Sequence, residues 1–302
     1  MNRRTFLATA TAVAAAQQPP APIVDTHIHL FSPDQTLFPY HANAPYRPEP
    51  LSLDDYLTFV AEAGIGHTVI VHPEPYQDNH TYLEYCFLNE PSKMFFKGTC
   101  LFDPTSTDTP DRMAELVARL PHRIVALRIH ITRKPGAPPT TSGPIRDRDL
   151  TDPMVRRTIR AAHRLGLAIQ FNMTPVHAPQ VAYLAAEFSR TNFIIDHLAN
   201  SAAGTPAEYA QVLEMAHLPN VIMKFSGLQH SSREDYPYRD VRALVRQTYR
   251  AFGPERMIWG ALGHNMDEWR RQRHLFEETF AFTDETARAK IRGGNAMRLF
   301  WS

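Results

Sequence analysis

Residues 23–29 read Ile23-Val24-Asp25-Thr26-His27-Ile28-His29, a β-rich run with an acid and two histidines at every second position. Similar short runs recur at 67–72, 95–101, 124–131, 168–173, 192–197, 221–225 and 256–259. Amphipathic segments lie between them, the clearer ones at 53–62, 112–120, 155–165, 181–188, 209–216 and 241–252. Strict alternation of strand and crossover helix calls for a parallel sheet in the α/β class. Eight such units in roughly 280 residues match a single closed (β/α)8 TIM barrel, whose usual size is about 250 residues. The alternative, a doubly wound open sheet, normally carries a Gly-rich phosphate loop after its first strand. None follows His29.

The connections are asymmetric. Helix-to-strand links are short, as in Gly64-Ile65-Gly66, Pro121-His122-Arg123, Pro219-Asn220 and Gly253-Pro254-Glu255. Strand-to-helix links at 31–52, 132–151 and 227–238 are long and rich in proline. In a barrel these long links build the functional face, so the 25 prolines stiffen the working end.

Composition narrows the class further. Lys+Arg number 32 against 31 Asp+Glu, a net charge of +1, without the basic excess of a nucleic-acid binder. Hydrophobic residues at 43% and charged residues at 21% fit a folded globular domain. Cys86 and Cys100 cannot make a disulfide framework and read as small buried hydrophobes. Asn2-Arg3-Arg4-Thr5-Phe6-Leu7, then a short apolar run to Ala16, looks like a twin-arginine export signal over 1–16. The mature domain is then 17–302, exported to the periplasm or secreted. The apolar run is too short for a permanent membrane anchor.

Chemistry concentrates at strand ends. Alternation puts Asp25, His27 and His29 on one face, inward in a barrel. Two inward imidazoles two residues apart can hold one metal ion, the bland alternative being hydrogen-bonded core histidines. Strand two ends at His72, strand four at His130 and strand six at His197. Arg128 shares a face with His130, and Lys224 shares one with Ser226. Tyr76, His80, Tyr236 and Tyr238 lie on loops, as pocket lining or as rim packing. Trp259 and Phe225 read as core.

This combination resembles the amidohydrolase superfamily, in its amidohydrolase-related branch of lactonases and decarboxylases. The resemblance runs from Ile23 to Phe300. It rests on Asp25-Thr26-His27-Ile28-His29-Leu30-Phe31, Leu127-Arg128-Ile129, Asp196-His197-Leu198, Lys224-Phe225-Ser226-Gly227-Leu228 and Gly294-Asn295-Ala296-Met297-Arg298-Leu299-Phe300. It implies a TIM-barrel hydrolase, with Arg128 binding a substrate carboxylate. Two departures stand out. The family's general-base Asp after the last strand is replaced by Leu262, which can neither take a proton nor bind a cation. Gln170 stands in strand five where metal-dependent members often carry His.

What remains is a three-imidazole set, His27, His29 and His197, for one divalent zinc or manganese, with a metal-independent mechanism left open. His264 and Asp267 follow the missing Asp and are candidate replacement bases, or else ordinary residues at a helix start over 268–276. Arg128, Lys224, His72, His130 and Ser226 are the expected substrate-side residues, with His264, Asp267 and His197 catalytic. The expected activity is water attack on the lactone, or less readily amide, carbonyl of a small carboxylated or sugar-derived substrate. A decarboxylase and a non-catalytic binding barrel are the alternatives. The expected partner is a small molecule, with no nucleic acid; a homo-oligomer is left open.

Overall fold

A computed structural model describes residues 22–132 and 149–302. The candidate signal over 1–16 lies outside the described residues, as does most of the 132–151 link. Eight strands, β1 (Ile23–Ile28), β2 (Ile65–Ile70), β3 (Phe96–Leu101), β4 (Ile124–Ile131), β5 (Ala168–Met173), β6 (Phe193–Ile195), β7 (Val221–Phe225) and β8 (Met257–Trp259), form one sheet in sequential order. Each pairs in parallel with the next. The crossovers are α1 (Leu53–Ala63), α2 (Thr81–Leu88), α3 (Thr109–Arg119), α4 (Pro153–Arg164), α5 (Ala178–Glu187), α6 (Pro206–Glu214) and α7 (Arg242–Phe252). Then α8 (Met266–Thr279), α9 (Glu285–Ala289) and α10 (Asn295–Phe300) complete the TIM barrel.

Local chemistry sets the helix limits. Ser52 caps α1: its hydroxyl accepts from the Asp55 amide while Asp55 takes the Ser52 amide, and Gly64 ends the helix in the left-handed region at φ 65°. Thr205 and Glu208 repeat this reciprocal cap at α6. Helix α2 escaped the sequence reading because its weak amphipathy hides in a run with apolar residues on several sides.

The barrel has a dry floor and a polar storey above it. Val24, Ala126, Ala168, Ile194, Ile222 and Ile258 meet with Ala296 in an inner cluster, and Phe300 and Trp301 cover it from below. The Trp301 indole donates to the Met94 carbonyl at 2.7 Å. Because strands repeat every two residues, the next inward positions on β4 to β7 are Arg128, Gln170, Asp196 and Lys224. The larger core lies outside the barrel, under the helices, and includes Phe225, Trp259 and Trp269. Both cysteines are buried and free.

The seam between β8 and β1 is closed by side chains. The Thr26 hydroxyl donates to the Trp259 carbonyl at 2.6 Å, and the Ala261 amide donates to Asp25 Oδ1 at 2.9 Å. The chains run so close that a Cβ on Gly260 would lie 2.5 Å from Cβ of His27.

Two features correct the sequence reading. Asp25 is opposite Thr68 but Ile28 is opposite Ile70, so β1 carries one residue more than β2 in this interval. This bulge breaks simple alternation. Asp25 turns to the helix layer, where Tyr56 of α1 donates to its carboxylate at 2.9 Å, while His27 turns inward. The second feature is the early end of β6. His197, Leu198, Ala199 and Asn200 all have positive φ, between 49° and 57°. Such backbone costs roughly 1–2 kcal/mol per non-glycine residue. Partners hold it: Ser231 donates to the His197 carbonyl at 2.8 Å, and the Asn200 amide donates to Asn172 and to the Met173 carbonyl.

Candidate active site

Asp196 is the hub of the polar storey, and it is fully buried. Its Oδ2 accepts from Arg128 Nε at 3.2 Å and from Gln170 Nε2 at 3.0 Å. Its Oδ1 lies 3.2 Å from Lys224 Nζ and 3.6 Å from His27 Nδ1. Burial alone would raise this carboxyl's pKa, but Lys224, His27 and Arg128 hold it well below the ordinary value. Lys224 also donates to the Thr26 carbonyl at 3.0 Å. Arg128 and Lys224, expected on the substrate side, are therefore both anchored to Asp196. Two cations against one carboxylate leave a single positive charge in this layer.

Three imidazoles stand over it. His29 donates from Nδ1 to the Val71 carbonyl at 2.7 Å, so its Nε2 carries the lone pair. That Nε2 is 3.4 Å from Nε2 of His27. The ring of His197 is centred 4.5 Å from that of His27, and its Nδ1 pairs with the Ser226 hydroxyl at 3.0 Å. Gly227, at φ 55°, makes room for this pairing, since a Cβ there would lie 2.8 Å from Nδ1 of His197. Burial, reinforced by Arg128, lowers His29 to about 3, and burial pushes His27 and His197 well below the usual histidine value. All three are thus neutral near pH 7.

The donor set fits a divalent cation. Two nitrogens bound to one tetrahedral zinc at about 2.0–2.1 Å would be about 3.4 Å apart, as the two Nε2 atoms are. His27, Asp196 and His197 also present donor atoms within 4.8 Å of one another. Arg128 and Gln170 occupy Oδ2 of Asp196, while Oδ1 faces Lys224 and His27 without a hydrogen bond among the described residues. Asp196 stands behind His27, with Oδ1 at 3.6 Å from Nδ1 of that ring, so its charge acts on the ring without a hydrogen bond.

The end of strand eight is different. Leu262 is buried, and its Cδ2 borders the same gap beside Gly227 that His197 borders. His264 is exposed, with its amide donating to Glu268 at 2.7 Å. Asp267 is also exposed and pairs with Arg270 at 3.0 Å. Asn265 caps α8 through the Glu268 amide. Both candidate bases thus lie at the exposed start of α8, with His264 near enough to act on His230, whose ring is centred 5.3 Å from that of His197.

On the other side of the mouth, His130 Nδ1 lies 3.2 Å from Glu74 Oε1. His72 Nε2 pairs with the Gln77 carbonyl at 2.9 Å. Of the loop aromatics, Tyr76 is buried with its hydroxyl accepting from the Ser32 amide, His80 is buried, and Tyr236 is exposed. Sequence reasoning passed over Asp196 as a hub, although an acid that ends the apolar run Phe193-Ile194-Ile195 has to be paired. It also passed over Glu74, for which a loop offers no periodic signal.

The fold and this histidine-rich mouth define a TIM-barrel hydrolase. More narrowly, the chain belongs to the amidohydrolase family, whose model matches residues 24–301. It is 28% identical to an L-fucono-1,5-lactonase of Burkholderia ambifaria over 92% of this chain and 94% of that one. It is 24% identical to a D-galactarolactone isomerase of Agrobacterium fabrum over 91% of this chain and 85% of that one. An amidohydrolase of Burkholderia multivorans solved with bound zinc shares the fold at a TM-score of 0.71, with 17% identity over 93% of this chain and 99% of that one. Among the described residues, no helix is long and apolar enough to cross a membrane.

Proposed function

We propose that this protein opens the lactone ring of a small sugar-derived or carboxylated acid by adding water to its carbonyl. The observation that carries the reading is the layered mouth: three neutral imidazoles above a buried Asp196–Arg128–Lys224 cluster of net positive charge. The names of the two curated relatives support a lactone as the substrate class. The residual charge attracts an anionic substrate, and the Arg128 guanidinium has further donors beyond the Nε taken by Asp196. Lys224 is committed to Asp196 and Thr26, so it sets the field and does not grip the substrate. His27, His29 and His197 would hold a divalent cation, which when bound polarises the carbonyl and stabilises the oxyanion.

The test is a panel of aldonolactones and muconolactones offered to chelated, zinc-loaded and manganese-loaded protein, with acid release followed by indicator. Turnover in at least one condition is expected. Its absence in all three sinks the reading. Leu262 favours a second reading, in which the barrel binds or rearranges lactones without hydrolysis. Ring migration without acid release, seen by NMR on the same panel, would select it.

Export through the twin-arginine route is part of the proposal and rests on Arg3 and Arg4 before the apolar run to Ala16. Replacing both with lysine should hold the precursor in the cytoplasm. Unchanged periplasmic yield would refute the route.

A further inference from the structure

Glu74 and His130 form a buried pair that the reaction as described leaves unused. Glu74 follows β2 in a short helical turn, Glu74–Tyr76. His130 lies on β4, two residues beyond Arg128 and on the same inward face. The pair thus spans from the end of strand two to the end of strand four. Their side chains are 7% and 4% exposed, and Oε1 of Glu74 stands 3.2 Å from Nδ1 of His130. Nε2 of His130 is buried and, among the described residues, has no hydrogen-bond partner. A buried imidazole nitrogen without a partner costs about 1–3 kcal/mol, so its retention calls for a function.

We propose that His130 is the proton-transfer residue of lactone opening and that Glu74 is its positioning residue. The assignment rests on the hydrolase reading above. A carboxylate can only accept at Nδ1, so the proton sits on Nδ1 and the lone pair on Nε2. Nε2 takes a proton from the attacking water as the water oxygen bonds to the carbonyl carbon. The tetrahedral adduct then collapses, the bond from that carbon to the ring oxygen breaks, and Nε2 returns the proton to the departing ring oxygen. The products are a hydroxyl group and a carboxylic acid, which ionises to solvent. Glu74 stabilises the transient imidazolium and fixes the ring. The task of the missing Asp has therefore moved across the mouth, from the eighth strand to the arc between the second and fourth.

The experiment uses the full mature chain and the lactone that the wild type turns over fastest. His130→Ala should lower kcat by about 100- to 10,000-fold. KM should stay within about threefold, metal content should not change, and added imidazole should restore part of the rate. Glu74→Gln keeps an acceptor for Nδ1 but removes the charge, and should lower kcat by about 10- to 100-fold. His130→Gln serves where the alanine variant fails to fold, with the same loss of kcat. A variant at position 130 that keeps wild-type kcat overturns the assignment and leaves the lactone reading intact. Loss of kcat together with loss of metal or of the folded state, without imidazole rescue, overturns it in favour of a structural role. If the wild type turns over no lactone, both readings fall together.

Discussion

The ends of strands six and eight are built in opposite ways. Strand six rises from Ile194 in the floor to Asp196, which is held by Arg128, Gln170, Lys224 and His27. Strand eight rises from Ile258 through Gly260 to Leu262, which packs beside Gly227. Past these points, strand six turns left-handed and buries Leu198 and Ala199, while strand eight opens to exposed His264 and Asp267. The mouth is therefore polar and hydrogen-bonded along one arc and apolar along the other. A proton acceptor is to be sought where charge is already organised, not where the chain faces water.

The sharpest way to break this contrast is Asp196→Asn. It leaves two buried cations without a counter-charge and should cost about 3–5 kcal/mol in a denaturant titration. A loss below about 1 kcal/mol would mean that water reaches this cluster. Next in size is Leu262→Asp, which returns the carboxylate to the apolar side. It should destabilise by about 2–4 kcal/mol, through lost packing and unpaired burial, without raising kcat. A tenfold gain in kcat would show strand eight still able to host the base.

Acid should test the same arc in the metal-free protein. Burial lowers His72 to about 4, and burial with His72 lowers His80 well below the usual value. Below about pH 6.5 the unfolded chain takes up protons at these two sites first, so stability falls with pH by up to about 2 kcal/mol per histidine at pH 5. Asp25 works against this: burial raises it to about 6, so its contribution is present at low pH and is lost as pH climbs through 6. The histidines outweigh it, and the thermal midpoint should drop from pH 7 to pH 5. A midpoint that rose instead would place Asp25 in control. Gly227→Ala should cost about 1–2 kcal/mol for its positive φ. It should also lower turnover by displacing His197; unchanged turnover would free His197 from any fixed pose. Smallest are His264→Ala and Asp267→Ala, both on the exposed loop, with stability within about 0.5 kcal/mol of the parent. A large loss of turnover from either would return the base to strand eight.

The barrel was legible in the sequence because eight β-rich runs alternate with helical segments, and this survives local irregularity. Strand-end placement of His27, His29, His130 and His197 was legible for the same reason. The facing of Asp25 was not, since a bulge is a single-residue slip that leaves composition and pattern unchanged. The left-handed turn after Asp196 was also hidden, because His197-Leu198-Ala199-Asn200 contains no glycine to announce positive φ. The Asp196 hub needed the relative height of four strands, which depends on barrel stagger and not on any one segment. The Glu74–His130 pair joins a loop to a strand across β3, and only the folded chain brings them together.

The seam and the floor also constrain the order of assembly. The two bonds that close the wall join residues 233 and 236 positions apart, and the floor waits for Ala296 and Trp301. A chain made from its N-terminus must hold β1 open-edged until nearly everything else has been synthesised. Contacts this distant in sequence slow the final step of folding and expose strand edges meanwhile. Chaperone dependence should therefore be concentrated at the end of synthesis, and variants shortened before Ala296 should fail by aggregation and not by loss of activity alone.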